Sequence, residues 1–95
     1  MEFEFVGEVF HWRGPSPFHF VAVPGEVAAA IRSVASEVTY GWGVIPVTAV
    51  VGATTFTTSL FPKDGGYLVP LKDVVRRRES VAIGDGIHVH LTIGR

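Results

Sequence analysis

The chain has 95 residues, 47% of them hydrophobic and 18% charged, with 8 Lys and Arg against 9 Asp and Glu and a formal net charge of -1. Those figures suit one ordinary globular domain, 1–95, with a single thin core and no room for a second. A near-neutral chain argues against a nucleic-acid partner, and the absence of cysteine removes disulfide frameworks and thiolate metal cages.

The opening Met1-Glu2-Phe3-Glu4-Phe5 lacks the basic start and continuous apolar stretch of a secretory signal. The longest apolar runs, Val27 to Ile31 and Val44 to Val51, fall far short of the roughly 18 residues that span a bilayer. A cytoplasmic protein with no membrane segment is expected.

Glu2 to Trp12 alternates, with Phe3, Phe5 and Val9 on one side and Glu2, Glu4 and Glu8 on the other, the pattern of a half-buried strand. Gly7 interrupts the apolar side and predicts a bulge or a sharp bend, which a small barrel needs to curl its sheet. Arg13-Gly14-Pro15-Ser16-Pro17 reads as a loop, since two prolines remove two ladder donors. Phe18 to Val23 is the second strand. Pro24-Gly25-Glu26 starts a helix, because proline suits a first turn and Glu26 faces the positive end of the dipole. Val27, Ile31, Val34 and Val38 lay one apolar stripe along it, with Arg32, Ser33 and Ser36 turned away.

Gly41-Trp42-Gly43 breaks that pattern. A strand from Pro46 to about Gly52 pairs as a hairpin with one from Thr54 to Leu60. Pro62-Lys63-Asp64-Gly65-Gly66 predicts a turn and Tyr67-Leu68-Val69 a strand ended by Pro70. Leu71 to Arg78 predicts a short helix with Arg76, Arg77 and Arg78 at its negative end. After Gly84-Asp85-Gly86 the last strand sets Ile87, Val89, Leu91 and Ile93 on one face and His88, His90 and Thr92 on the other. These elements predict a mainly β fold: a small six-stranded, mostly antiparallel barrel or pseudobarrel capped by two short helices.

The stretch Gly41-Trp42-Gly43-Val44-Ile45-Pro46-Val47, then Thr58-Ser59-Leu60-Phe61-Pro62-Lys63-Asp64-Gly65-Gly66-Tyr67-Leu68-Val69-Pro70-Leu71-Lys72, then Val75-Arg76 and Gly84-Asp85, resembles the bacterial family called domain of unknown function nineteen-oh-five. Phe3-Glu4-Phe5, Trp12-Arg13-Gly14-Pro15 and Phe18 to Pro24 resemble that family's start, so the likeness spans essentially the whole chain. It implies a small β-barrel with helical caps and no established activity. A looser likeness, through a strand, Pro70, a short helix, Gly84-Asp85 and a strand, is to the swapped-hairpin barrels of bacterial transition-state regulators and antitoxins. Those dimerise and bind DNA, but likeness of fold does not carry function.

Residues that carry chemistry are few. His88 and His90 lie about 7 Å apart on one strand face, a spacing that suits two metal ligands. Nothing in the sequence brings a third, so solvated histidines are expected, and no metal or cofactor is assigned. Arg76, Arg77, Arg78 and Lys72 form the basic cluster. Successive helical residues point about 100° apart, so the three arginines cannot share one partner, whereas Arg76 and Lys72, one turn apart, can. Thr58 and Ser59 belong to a hydroxyl-rich strand beside Phe61-Pro62 and the Gly65-Gly66-Tyr67 turn. Polar groups, aromatic rings and pliant backbone together are the ingredients of a small pocket. Trp42, between two glycines, can project over a cleft or plug one end of the barrel. Trp12 beside Arg13 poses the same alternative and adds a cation–π contact.

The chain carries no dinucleotide fingerprint, phosphate loop or nucleophile elbow, and Glu2, Glu4 and Glu8 on one face read as a solubilising edge. These readings favour a non-enzymatic binding module for a small anionic or planar molecule. Its expected place is the barrel end where Arg13, Trp42, Thr58, Ser59, Tyr67, Lys72 and Arg76 converge. Two alternatives stand beside it. One is a dimeric DNA-binding regulator of the swapped-hairpin type; the other is a structural or protein-interaction domain, a homodimer included, with an apolar patch at Val6, Phe10 and Trp12.

Overall fold

The computed structural model describes residues 1–12, 18–38 and 45–93. Its strands are β1 (Glu2–Trp12), β2 (Phe18–Ala22), β3 (Ile45–Val51), β4 (Thr54–Lys63), β5 (Gly66–Leu71) and β6 (Gly86–Ile93), with helix α1 (Gly25–Val38) between β2 and β3 and α2 (Asp73–Arg78) between β5 and β6. The strands close into a barrel in the order β1-β2-β5-β4-β3-β6, every pairing antiparallel. The expected six-stranded barrel with two helices is what the chain builds. Because a single chain closes the ring, no hairpin from a second copy is required to complete it. Among the described residues, no helix is long and apolar enough to cross a membrane.

Closure depends on the two long strands, each of which serves two partners along its length. β1 pairs with β6 over residues 2–8 and with β2 over residues 9–12. β4 pairs with β3 over residues 54–60 and with β5 over residues 61–63. Gly7 stands at the β1 changeover. The register with β6 runs unbroken past it, so the glycine is not a bulge. A Cβ there would lie 2.5 Å from Val21 Cγ1, closer than real side chains approach, and a tight 3.0 Å from the Ala22 carbonyl oxygen.

The alternation of β6 holds where it meets the core: Val89, Leu91 and Ile93 are fully buried. α1 joins the end of β2 to the start of β3, and α2 joins the end of β5 to the start of β6, so in an antiparallel ring they cap opposite ends. Ala28 and Ile31 of α1 are buried and Val27 packs against the core, while Arg32 and Ser33 are exposed. Burial of Ile31 alone contributes about 2 kcal/mol. Pro24 stands just before the helix, and its carbonyl accepts the Ala28 N–H at 2.8 Å.

Hairpin tips follow the glycines. Asp64 and Gly65, at φ 51° and 80°, supply the left-handed pair that a two-residue β4–β5 connection needs, so Pro62 and Lys63 belong to β4 and not to the turn. At the β3–β4 tip, Glu79 at the end of α2 accepts hydrogen bonds from Thr54 Oγ1 (2.6 Å) and the Ala53 N–H (3.3 Å), tying the helix to the hairpin. Two boundaries differ from expectation. β5 runs through Pro70 to Leu71, because β2 still pairs with it at Phe20↔Pro70 and His19↔Leu71. α2 begins only at Asp73, since Leu71 remains in the sheet and Lys72 is extended at φ -70°, ψ 151°.

Candidate functional site

The Val23 N–H donates to the Tyr67 carbonyl at 3.0 Å. In an antiparallel strand the backbone groups of successive residues face alternate neighbours, so the odd residues of β5 address β2 and the even ones β4. Pro70 is even. Its missing N–H is therefore the donor that would have met Ser59 on β4, and the pairing of β4 with β5 stops at Phe61↔Leu68. A cleft of about 580 Å³ opens at this place. Phe20, Phe61, Pro70 and Leu71 give it apolar walls, and Thr58, Ser59, His19, Lys72 and Asp73 give it polar groups.

The charges around the cleft are unevenly committed. Arg76 donates to the Asp73 carboxylate one helical turn before it, and its side chain is 23% exposed. Its Nε is buried and lacks a hydrogen-bond partner. Lys72 is exposed and belongs to no ion pair among the described residues. The His19 ring lies 5.2 Å from the His11 ring, centroid to centroid, across the β1–β2 ladder. Loss of solvent around His19, then the Arg76 guanidinium and the neighbouring His11, hold its pKa below the ordinary 6.5, while Asp73 pulls the other way. At neutral pH the cleft thus presents one uncommitted cation, two hydroxyls and a neutral imidazole.

Of the residues expected to converge, Thr58, Ser59 and Lys72 line this cleft, and Arg76 stands beside it through Asp73. Tyr67 is not brought there: it is 7% exposed and packs in the barrel core. Arg13 and Trp42 lie outside the described residues. His19, Asp73 and Pro70 were not among the residues expected at this site. A signal existed for His19, because antiparallel neighbours β1 and β2 pair residues whose numbers sum to the same value, which sets His11 opposite His19.

The remaining candidates sit elsewhere. His88 and His90 each have a carboxylate from β1 near Nε2, Glu4 at 3.9 Å and Glu2 at 2.7 Å, because the register lays Glu4 opposite His90. Among the described residues, no group of three or more His, Asp or Glu side chains is arranged to hold a metal ion. Phe10 packs on Phe20 (6.1 Å) and Phe20 edge-on to Phe61 (6.3 Å), an aromatic row leading to one side of the cleft. Lys63 Nζ lies 4.2 Å from the centre of the Trp12 ring, so a lysine from β4 makes a cation–π contact with it. Val6 is exposed, whereas Phe10 is half-buried in the aromatic row, so the three apolar residues of β1 are not equally open to a partner.

Fold and cleft together define a small antiparallel β-barrel domain. The chain belongs to the family described as Domain of unknown function (DUF1905), whose family model matches residues 5–91, nearly the whole chain. No curated protein matches it.

Proposed function

We propose that this domain is a non-enzymatic binding module that holds a small anionic or planar molecule in the cleft between β4 and β5. The observation that supports this reading most directly is the combination of apolar walls with the uncommitted Lys72 at the rim. A volume of about 580 Å³ falls within the range of small-molecule sites. In this reading Phe20, Phe61 and Pro70 flank the body of the ligand, Thr58 and Ser59 donate hydrogen bonds, and Lys72 meets the negative charge. A cysteine-free chain suits the reducing cytoplasm, the setting this reading assumes. A DNA-binding regulator has less support, because Arg76 is already engaged by Asp73 and the barrel closes without a second copy.

The test is a thermal-shift panel of organic acids, nucleotides and sugars. A ligand at roughly a hundred times its Kd adds about 2.7 kcal/mol, a rise on the order of 10 °C for a domain this small. Lys72→Ala should lose the response to anions, and Ser59→Phe, which fills the cleft, should lose every response. A panel with no stabilising ligand, or responses undiminished in both variants, overturns the proposal.

A further inference from the structure

We infer that the cleft takes planar monocarboxylic acids and that each is bound together with one proton, which His19 receives. This rests on the reading of the cleft as a ligand site. The class of ligand follows from the charges and the walls. With Arg76 held by Asp73, Lys72 is the cation left for the ligand, so one carboxylate is matched, whereas a phosphate would surrender its hydration against Phe20, Phe61 and Pro70 with no apolar body to fill the cleft. Those same walls favour a flat body over a hydrated one.

The proton follows from what surrounds His19. It lies in the cleft wall on β2, with His11 facing it from β1 and Arg76 and Asp73 from α2, while Lys72 shares the cleft. Without a ligand a proton on His19 is opposed by Arg76 and His11, and the Asp73 carboxylate that offsets them is already bonded to Arg76. A carboxylate placed beside Lys72 supplies the missing negative charge. Proton and ligand then favour each other by the same factor, as linkage requires. The balance is simple: the acid stays ionised, a proton from solvent joins an imidazole nitrogen, and no bond to carbon forms or breaks.

Calorimetry tests this with benzoate, its neutral counterpart benzamide, and inorganic phosphate. Titrations at about pH 5.5 and about pH 7.5 bracket the titration of an imidazole. Benzoate should bind about fivefold more tightly at the lower pH, the effect of one nearby charge in a largely aqueous setting. Benzamide should show no such change, and phosphate should bind more weakly than benzoate. Repeating the benzoate titration in two buffers of different ionisation enthalpy should reveal net proton uptake by the unmodified protein, and His19→Gln should flatten the pH dependence. Benzoate binding without proton uptake, or a pH dependence that survives His19→Gln, overturns the proton-coupled inference while leaving the cleft as a ligand site. Tighter binding of phosphate overturns the ligand class. Failure of all three probes to bind the unmodified protein at either pH removes this inference, whereas the cleft reading itself falls only with the wider panel.

Discussion

Glu79 holds the far end of α2 to the β3–β4 hairpin, and its removal tests whether that clasp supports both the barrel end and the cleft. Its carboxylate accepts the Thr54 hydroxyl at 2.6 Å and the Ala53 N–H at 3.3 Å, and Thr54 is 6% exposed. Glu79→Ala therefore leaves a buried hydroxyl without its acceptor. A hydrogen bond to a charged group contributes about 1.5–3 kcal/mol, and the longer Ala53 contact adds little, so a loss of about 2 kcal/mol is expected. In a chain of this length that lowers Tm by about 10 °C. α2 is six residues long, so the clasp lies only about 9 Å along the helix axis from Asp73 at the edge of the cleft. Loosening one end of so short a helix should weaken ligand responses at the other. Circular dichroism melts of Glu79→Ala, Thr54→Val and the double variant separate the paired contact from its surroundings. The double variant should lose about 1 kcal/mol less than the sum of the two single changes. A Glu79→Ala protein melting within about 2 °C of the parent, or strict additivity, refutes the clasp.

Three further outcomes follow from particular contacts. Gly7→Ala sets a methyl 2.5 Å from Val21 Cγ1 and should cost about 1–3 kcal/mol in a urea melt, part of it recovered by Val21→Ala; an unchanged midpoint would show that β1 and β2 cross less tightly. Pro70→Ala restores an N–H aimed at β4, gaining about 1 kcal/mol and losing about as much proline rigidity, so stability should hold while the cleft narrows. Hydrogen exchange reads this directly, and fast exchange of the new backbone amide in that variant would count against it. His19 has a folded pKa below its ordinary 6.5, so the unfolded chain binds more protons. Its contribution to stability is complete above pH 6.5 and is lost as pH falls through the lower folded value, so His19→Gln should soften the acid-side decline in urea stability; a steeper decline in the variant contradicts the assignment.

The strands were legible because their chemistry is local. Alternation in residues 2–12 and 87–93 survives as burial of Phe5, Val9, Val89, Leu91 and Ile93, and Asp64-Gly65 carries its turn geometry in two residues. Gly7 was legible as a break in the pattern, but the reason for it, the passage of β2 beneath it, depends on a contact fourteen residues away. Pro70 shows the same division. The strand does not end at it as expected, and the side on which its missing donor matters follows only from the order β2-β5-β4. Thr58 and Ser59 were legible as polar groups near aromatic ones, and Lys72 as a cation of the basic cluster. Tyr67 was misplaced because it is buried at the start of β5, the end remote from Leu71 and Lys72 at the cleft, and that placement follows from pairing and not from proximity to a turn.

A closed barrel offers partners no sheet edge, so a break in one ladder is where strand backbone can meet a ligand. Pro70 makes that break without loosening β5, because β2 holds the strand on its other side as far as Leu71. β4 is likewise held by β3 at Thr58 and Ser59, through the Val47↔Thr58 and Pro46↔Ser59 pairs. At the end of the gap Lys72 leads straight into α2, whose other end is fixed by Glu79. Each wall is thus anchored from behind, and a ligand entering between them has little chain to order. The cost of ordering is what most often separates a groove that binds from one that does not. A hollow made by deleting one donor from the β4–β5 ladder avoids most of it, which is why the β4–β5 gap, and not the exposed Val6 or the surface pairs of His88 and His90, is where the proposed ligand is to be sought.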